Sequence, residues 1–399
     1  MKTYISAWPE KAPLPDFPRS LCILGATGSI GTSALRVVFK HPKLFKIASL
    51  AGGSNAKRLA EICAMFKPPH VGVLNNKVRK EFLSLLPSGY EPEVLVGPEG
   101  YAQLAAMDDV DFVLSSIVGA AGFIPTLAAA KAGKMIGLAN KESLVLGGHL
   151  IREACQASGA IILPVDSEHN ALFQGLAGNH AEDLKRLILT ASGGPFRGKD
   201  LNFLKTVTRD QALAHPNWDM GAKISIDSST LMNKGLEIIE ACHLYGLPME
   251  QVDVVVHPQS IIHSLVEYVD GSQLAHLGNP DMQVPIAHCL CFPKRVEVDV
   301  PQLNLATVGK LTFEEPDQTA FPCLRLAREA YNAGPSHANV LNAVNEVAVG
   351  AFLKEQISYL DIPAIIERAL TNHTAVAVTT PEAVLELDKA ARKEAEATL

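Results

Sequence analysis

From residue 20 onward the chain alternates apolar runs of strand length with segments of helical period, and nothing else in the sequence limits the fold as strongly. SLCILGA reads as a short strand and SIGTSALRVVFKHP as a helix stopped at Pro42; FKIASLAGG and NAKRLAEICAMFKP repeat the pair. PHVGVLN and EVLVG are strands around a further helical segment, and VDFVLSSIVGAAG is a strand leaving into a glycine loop. FIPTLAAAKAGK, MIGLAN, ESLVLGGHLIREACQAS and AIILPVD then follow as helix, strand, helix and strand. Strands separated by helices imply parallel βαβ units, so the expectation is an α/β fold built on a Rossmann-like, doubly wound sheet.

The first strand ends in GATGSIG, which places Gly25, Gly28 and Gly31 in a GxxGxxG spacing. A glycine turn between a strand and a helix aims free N–H groups at a pyrophosphate; the same glycines also suit a tight turn with close helix–strand packing. An NAD site carries an acidic residue at the end of the second strand to bind the ribose hydroxyls. Here that position reads GGSNAKR, with no carboxylate before Glu61. Gly53, Ser54 and Asn55 offer donors, with Lys57 and Arg58 close behind, so a 2′-phosphate is tolerated and NADP(H) is favoured.

After residue 166 the texture changes. Polar loops such as TASGGPFRGKD and LAHPNWDMGAK precede VDVVVHP and SIIHSLVEYVDGSQLAHLG, which suggest an antiparallel sheet. The expected organisation is a Pro-rich, poorly ordered arm (1–19), a nucleotide-binding domain (20–165) and an α+β catalytic domain (166–291). A Pro-punctuated linker (292–317) and a small C-terminal helical domain (318–399) complete it. At 399 residues with 48% hydrophobic composition, and with no apolar run long enough for a bilayer, the chain is expected to be soluble and to have no membrane partner. Seven scattered cysteines without metal-type spacing suggest reduced core thiols and a cytoplasmic location. A net charge of −7 argues against nucleic acid as a partner but leaves a small anionic substrate open.

Two stretches concentrate polar chemistry. In LPVDSEHNALFQ an apolar strand delivers Asp166, Ser167 and Glu168, and in an extended chain residues two apart face the same way. In KISIDSSTLMNKGLEIIEACHLYG a strand, KISID, is expected to run into a helix starting near Asp227–Thr230, with Met232, Leu236, Ile239 and His243 as its buried stripe. Asn233 and Glu237 are i, i+4 and Lys234 and Glu237 are i, i+3 on that helix. Taken singly, the first stretch fits a solvated turn and the second a surface ion pair. Together, Asp166, Glu168 and Glu237 make an all-oxygen donor set of the kind Mg²⁺ or Mn²⁺ prefers. Ser228, Asn233 and Lys234, with Ser192 from ASGGPF, make a plausible phosphate cradle. LAHPNWDMG (213–221) carries His215, Trp218 and Met220 between polar residues, a pattern that suits either a closing flap or a loop with a hydrophobic anchor. His257 and His263 are assigned no role.

LGATGSIG, LANKESLV, LPVDSEHNALFQ, LTASGGPF, HPNWDMGAKISIDSSTLMNKGLEIIEA, VVVHPQSIIHSLVEY, LGNPDMQVPIAH and LNAVNEVAV occur in that order across residues 20–350. Together they closely resemble the 1-deoxy-D-xylulose 5-phosphate reductoisomerase family of the non-mevalonate isoprenoid pathway. The resemblance implies Asp166, Glu168 and Glu237 as ligands of one divalent cation, Mg²⁺, Mn²⁺ or Co²⁺. It places Thr27, Gly28, Ser29, Ile30, Asn140, Glu142 and Gly221 against NADPH, with Gly53, Ser54 and Asn55 at the adenosine end. It assigns Lys141, Ser167, Glu168, Ser192, His215, Ser228, Asn233, Lys234 and Glu237 to the phosphorylated substrate, and Lys141, His215 and the three carboxylates to catalysis. It also implies a homodimer joined through the catalytic domain. The arm is longer than the common start, AGGSN lacks a basic residue that some members have at the serine, and TASGG has Ala191 where some have glycine. Two other readings fit a nucleotide domain followed by an α+β domain: a plain NADP-dependent dehydrogenase of the homoserine or semialdehyde type, and a non-catalytic NADP-sensing protein.

Overall fold

The computed structural model describes residues 4–7, 14–218 and 220–399. Its first layer is the alternation read from the sequence: β1 (Arg19–Leu24), α1 (Ser29–Lys40), β2 (Phe45–Ala51), α2 (Ala56–Phe66), β3 (His70–Val73), α3 (Asn76–Ser84) and β4 (Glu93–Val96). Then come α4 (Gly97–Ala106), β5 (Phe112–Ser115), α5 (Phe123–Lys131), β6 (Met135–Leu138), α6 (Glu142–Ser158) and β7 (Ile161–Pro164). The strands form one seven-stranded parallel sheet in the order β4-β3-β2-β1-β5-β6-β7. Side chains alternate across it. Leu21 and Ile23 enter the core on one face with Ala34 and Val38, while Cys22 and Leu24 enter the core on the other with Leu104 and Leu127.

Strand order reverses direction between β1 and β5. Ligands of such sheets bind outside the carboxyl ends of the strands at that switch. The residues just beyond β1, β5, β6 and β7 are the glycine turn, Ser116, Asn140–Lys141 and Asp166, so the fold brings all four to one edge.

The second half contains α7 (Ser167–Leu176), β8 (Leu184–Ala191), α8 (Leu201–Leu204), α9 (Arg209–Leu213), α10 (Ala222–Ser229), α11 (Met232–Tyr245), β9 (Val252–Val256), β10 (Ile262–Tyr268) and β11 (Gln273–Leu277). These four strands form a sheet in the order β11-β10-β8-β9. It is mixed rather than antiparallel: β10 pairs antiparallel with β8 and β11, but β8 and β9 run parallel because four helices form the crossover between them. KISID is not a strand either. Lys223–Asp227 lie inside α10, where Ser225, Ile226, Asp227 and Ser229 are all buried, and a short helix enclosed on several sides shows no helical period. Leu231, in the left-handed region at φ 62°, separates α10 from α11.

Part of the N-terminal arm is tied down, against expectation. Ile5 N–H donates to Leu244 O (2.9 Å), Ile162 N–H donates to Ile5 O (2.9 Å), and Tyr4 packs edge-on against Tyr245. Edge strand β7 thus gains a partner, and burial of Ile5 holds it there. Residues 1–3 and 8–13 of the arm lie outside the described residues.

α12 (Gln283–Cys291) packs back on α1. The segment that follows is irregular apart from α13 (Leu305–Val308) and one bridge, Val256 to Glu314. The chain ends in α14 (Cys323–Ala333), α15 (Pro335–Leu353), α16 (Asp361–Asn372) and α17 (Pro381–Ala397). α15 packs on α6, α14 on α11, and these helices share the core of the sheet face they cover. All seven cysteines are buried and unpaired with one another. Among the described residues no helix is long and apolar enough to cross a membrane.

Candidate active site

One cleft of about 1080 Å³ runs from the glycine turn, past the ends of β6 and β7, to α10 and α11. Thr27–Ile30, Asn140–Glu142, Asp166–Glu168, Ser192, His215, Gly221, Ser228, Asn233, Lys234 and Glu237 all line it. Gly53, Ser54 and Asn55 do not. They are exposed beyond β2, where Asn55 accepts the Arg58 N–H (3.0 Å) as the cap of α2.

The three glycines of the turn do different work. Gly25 has φ +87°, and a Cβ there would lie 2.7 Å from Ser116 O. A Cβ on Gly31 would collide with the Gly25 carbonyl. Gly28 is neither strained nor crowded, its nearest neighbour standing at 3.4 Å, and it caps α1 without a side-chain bond. Gly25 and Gly31 therefore serve the backbone. Gly28 leaves the helix N-terminus open to the cleft, which fits a pyrophosphate.

At the other end the carboxylates converge, though not by strand alternation. β7 ends at Pro164, and Asp166 is the N-cap of α7, its Oδ1 accepting the Glu168 N–H at 3.1 Å. Lys141 Nζ lies 2.6 Å from Asp166 Oδ2, 3.0 Å from Glu237 Oε1 and 2.9 Å from Asn233 Oδ1. Lys234 pairs with Glu237 and stands 3.3 Å from Glu168 Oε1; Glu168 also accepts the Ser167 hydroxyl at 2.6 Å. Two ammonium groups thus hold three carboxylates together.

Burial works against ionisation of Asp166, but Lys141, His169 and Lys234 outweigh it and hold the carboxyl far below the usual range. Burial, opposed by Lys234 and reinforced by Glu237 and Asp166, pushes Glu168 up to about 7. Burial would lower Lys141, yet Asp166 and Glu237 keep it well above the usual lysine value. Asp166 and Glu237 already share the Lys141 ammonium, and the three carboxylates offer only oxygen donors, so that set fits a hard divalent ion. Among the described residues, Asp166, His169 and Glu237 place possible ligand atoms within 4.8 Å of one another. His169, however, lies 3.2 Å from buried Glu240 and pairs with it, while Glu168 pairs with Lys234 and is not one of that group.

His215 is fixed in one tautomer. Its Nδ1 accepts the N–H groups of Asn217 (3.2 Å) and Trp218 (3.0 Å), so Nε2 carries the proton and donates to Ser192 Oγ (2.8 Å). Gly194 N–H donates to the same Oγ at 3.1 Å, leaving the Ser192 proton available to an anion in the cleft. Asn217 anchors the 213–221 segment by donating to Pro258 O (2.6 Å) and Ser260 Oγ (2.9 Å). Trp218 packs against His263, their ring centroids 6.3 Å apart. Asp219 lies outside the described residues.

Family models described as 1-deoxy-D-xylulose 5-phosphate reductoisomerase match residues 21–148, and models of the C-terminal domains of the same enzyme match 162–245 and 277–394. A protein of that name from Oleidesulfovibrio alaskensis is 59% identical over 98% of both chains, and one from Nitratidesulfovibrio vulgaris is 57% identical over 98% of this chain and 96% of its own. The chain belongs to the 1-deoxy-D-xylulose 5-phosphate reductoisomerase family.

A solved reductoisomerase in complex with NADPH, fosmidomycin and magnesium superposes with a TM-score of 0.89 at 44% identity, covering 95% of this chain and 98% of its own. The Zymomonas mobilis reductoisomerase in complex with NADPH gives 0.90 at 42% identity, covering 96% and 99%. The cleft of this chain also has lining residues beyond those named from the sequence. Several of its walls escaped sequence reasoning: Arg36, Ser116, Lys223, His263 and Pro280–Gln283. LGNPDMQVPIAH marked the last of these, but its polar and apolar residues carry no spacing that separates lining from packing. His169 follows Glu168 and Glu240 lies one helical turn after Glu237, which was the available signal for them.

Proposed function

We infer that this chain carries out the NADPH- and divalent-metal-dependent rearrangement and reduction of 1-deoxy-D-xylulose 5-phosphate to 2-C-methyl-D-erythritol 4-phosphate, a step in making isoprenoid precursors. The observation that supports this reading is a cleft lined at one end by Asp166, Glu168 and Glu237, which Lys141 and Lys234 bridge, and at the other by the Gly28 turn. Those carboxylates would hold Mg²⁺, Mn²⁺ or Co²⁺, and such an ion supplies Lewis acidity to a substrate carbonyl. NADPH would lie along Thr27–Ile30 and reach Asn140, Glu142 and Gly221, with Gly53–Asn55 toward its adenosine, and supplies the hydride.

The chain's own part is binding and positioning. Ser192, His215 and Ser228 would take the substrate phosphate. Asn233 and Lys234, held by Glu237, would bridge that anion site and the carboxylates, and Ser167 and Lys141 would orient the reacting end. Lys141 would steady an oxygen of the substrate. Trp218 would close over the cleft and exclude water.

The same reading assigns residues 20–165 to the cofactor, 166–291 to chemistry and dimerisation, 292–317 to a linker and 318–399 to a helical brace. Edge strand β11, with Leu274 and Leu277 exposed, supports a homodimer through the second sheet. Seven buried thiols support a reducing, cytoplasmic setting. The test is loss of nicotinamide absorbance on adding 1-deoxy-D-xylulose 5-phosphate, with and without Mn²⁺. Metal-dependent loss abolished by EDTA is expected. Turnover indifferent to EDTA would favour the plain dehydrogenase, and NADPH binding without oxidation the sensing protein.

A further inference from the structure

α15, which carries the LNAVNEVAV stretch, packs behind α6 and α10, and its asparagines Asn342 and Asn345 are fully buried. Asn345, fully buried, donates to Asp227 Oδ1 of α10 at 2.9 Å. Asp227 Oδ2 and Glu142 Oε1 share one cation, Lys223, each 2.8 Å from its Nζ. Glu142 Oε2 in turn accepts from Asn140, whose amide also reaches Gly119 O. A Cβ on Gly119 would stand 3.1 Å from the Glu346 carboxylate, which Arg392 of α17 holds at 2.8 Å. Buried charges need partners, and here Lys223 joins the start of α6 to α10, while α15 backs both.

The placement of α10 gives this arrangement consequence. Gly221 caps its start, directly after the Trp218 segment, and Leu231 in the left-handed region ends it. A short rigid helix with a glycine at one end and a backbone break at the other can turn as a unit. Lys223 sits in its first turn, so a displacement of Glu142 is passed to the base of the flap.

We propose that Lys223 is a positioning residue that couples cofactor binding beside Asn140 and Glu142 to closure of the Trp218 flap, with Asn345 and Glu346 of α15 as the fixed support. This rests on the function proposed above. Coupling of this kind is a difference in binding free energy, and it is reciprocal.

The experiment measures fosmidomycin binding to the magnesium-loaded protein by calorimetry, with and without NADPH, and hydrogen exchange across residues 213–221 in the same states. In the unmodified protein NADPH is expected to tighten fosmidomycin about tenfold, within the usual range of such couplings, and to protect the flap. Lys223→Met should bring that factor to within about twofold of one, Lys223→Arg should retain it, and Asn345→Leu should reduce it. If Lys223→Met folds poorly, Lys223→Met/Asp227→Asn removes one of the two stranded charges and should show the same loss. A factor unchanged by Lys223→Met, or no effect of NADPH in the unmodified protein, overturns the proposal. A protein that turns over substrate yet shows no coupling sinks this inference alone; absence of turnover sinks the function it rests on.

Discussion

Lys141 and Asp166 meet at 2.6 Å because their strands are neighbours: β6 pairs with β7 in a register that sets Leu138 beside Pro164, and each residue lies just beyond that pair. The ammonium that results also serves Glu237 from a helix in the other half of the chain. Substituting Lys141→Met removes this shared cation. Leaving the largely buried Asp166 without its ammonium partner costs about 3–5 kcal/mol, so the melting temperature of the metal-free protein should fall. Mn²⁺ should then restore more stability to the variant than it adds to the parent, which thermal unfolding with and without Mn²⁺ checks. Turnover should drop at least a hundredfold; near-normal turnover would remove Lys141 from the reacting end.

Glu237→Gln should nearly abolish turnover, by about a thousandfold, while NADPH affinity stays within about threefold, because the glycine turn lies at the other end of the cleft. Fluorescence titration of NADPH beside steady-state kinetics separates the two. Equal losses in both would exclude Glu237 as a ligand of the ion.

Ser228→Ala deletes one hydrogen bond to an anion and should raise KM for the phosphorylated substrate about tenfold, with kcat little changed. Asn233→Ala should behave differently, since Asn233 donates to Glu237 Oε1 at 2.5 Å and accepts from Lys141 at 2.9 Å. It should lower kcat as well as raise KM. Identical kinetic signatures for the two variants would refute the division.

The glycine turn offers a contrast within a single motif. Gly28→Ala has room for its methyl group and should leave the melting temperature almost unchanged while raising KM for NADPH about tenfold or more. Gly31→Ala meets the Gly25 carbonyl and should destabilise the fold by about 1–3 kcal/mol. Thermal melts and cofactor kinetics on both variants decide it, and a destabilised Gly28→Ala would contradict the geometry.

Acid should unfold the protein partly through histidines kept neutral by burial. Burial lowers His243 to about 3, helped by Arg152 and His149, and His263 to about 4, helped by His276. The unfolded chain takes up those protons near pH 6.5, while the folded one resists until its own lower values. Their contribution is therefore full above about pH 6.5 and is lost as pH falls toward 4. His243→Gln should flatten that part of the stability profile in denaturant titrations at fixed pH. An unchanged slope would mean that His243 already carries its proton when folded.

Much of the fold was legible in the chain because parallel βαβ units announce themselves locally: each strand is a short apolar run, each helix has its own period, and punctuation by glycine and proline marks the joins. The carboxylates that pair with Lys141 and Lys234 were legible for a similar reason, lying in short dense blocks whose chemistry resembles one family. KISID failed because alternation over five residues looks the same in a strand and in a helix buried on several sides. The β8–β9 pairing failed because strand direction depends on the connection between strands and not on their composition. The pinning of Ile5 was invisible because its partners, Leu244 and Ile162, are remote in sequence.

What the sequence determined by itself was which side chains exist, in which local segments, and hence what chemistry was available. Only the tertiary structure decided which charges share a partner: Lys141 between Asp166 and Glu237, Lys234 between Glu168 and Glu237, Lys223 between Glu142 and Asp227. Local propensity acts over a few residues. The pairing of buried charges is settled by the whole packing, since each must find its counter-ion wherever folding leaves one.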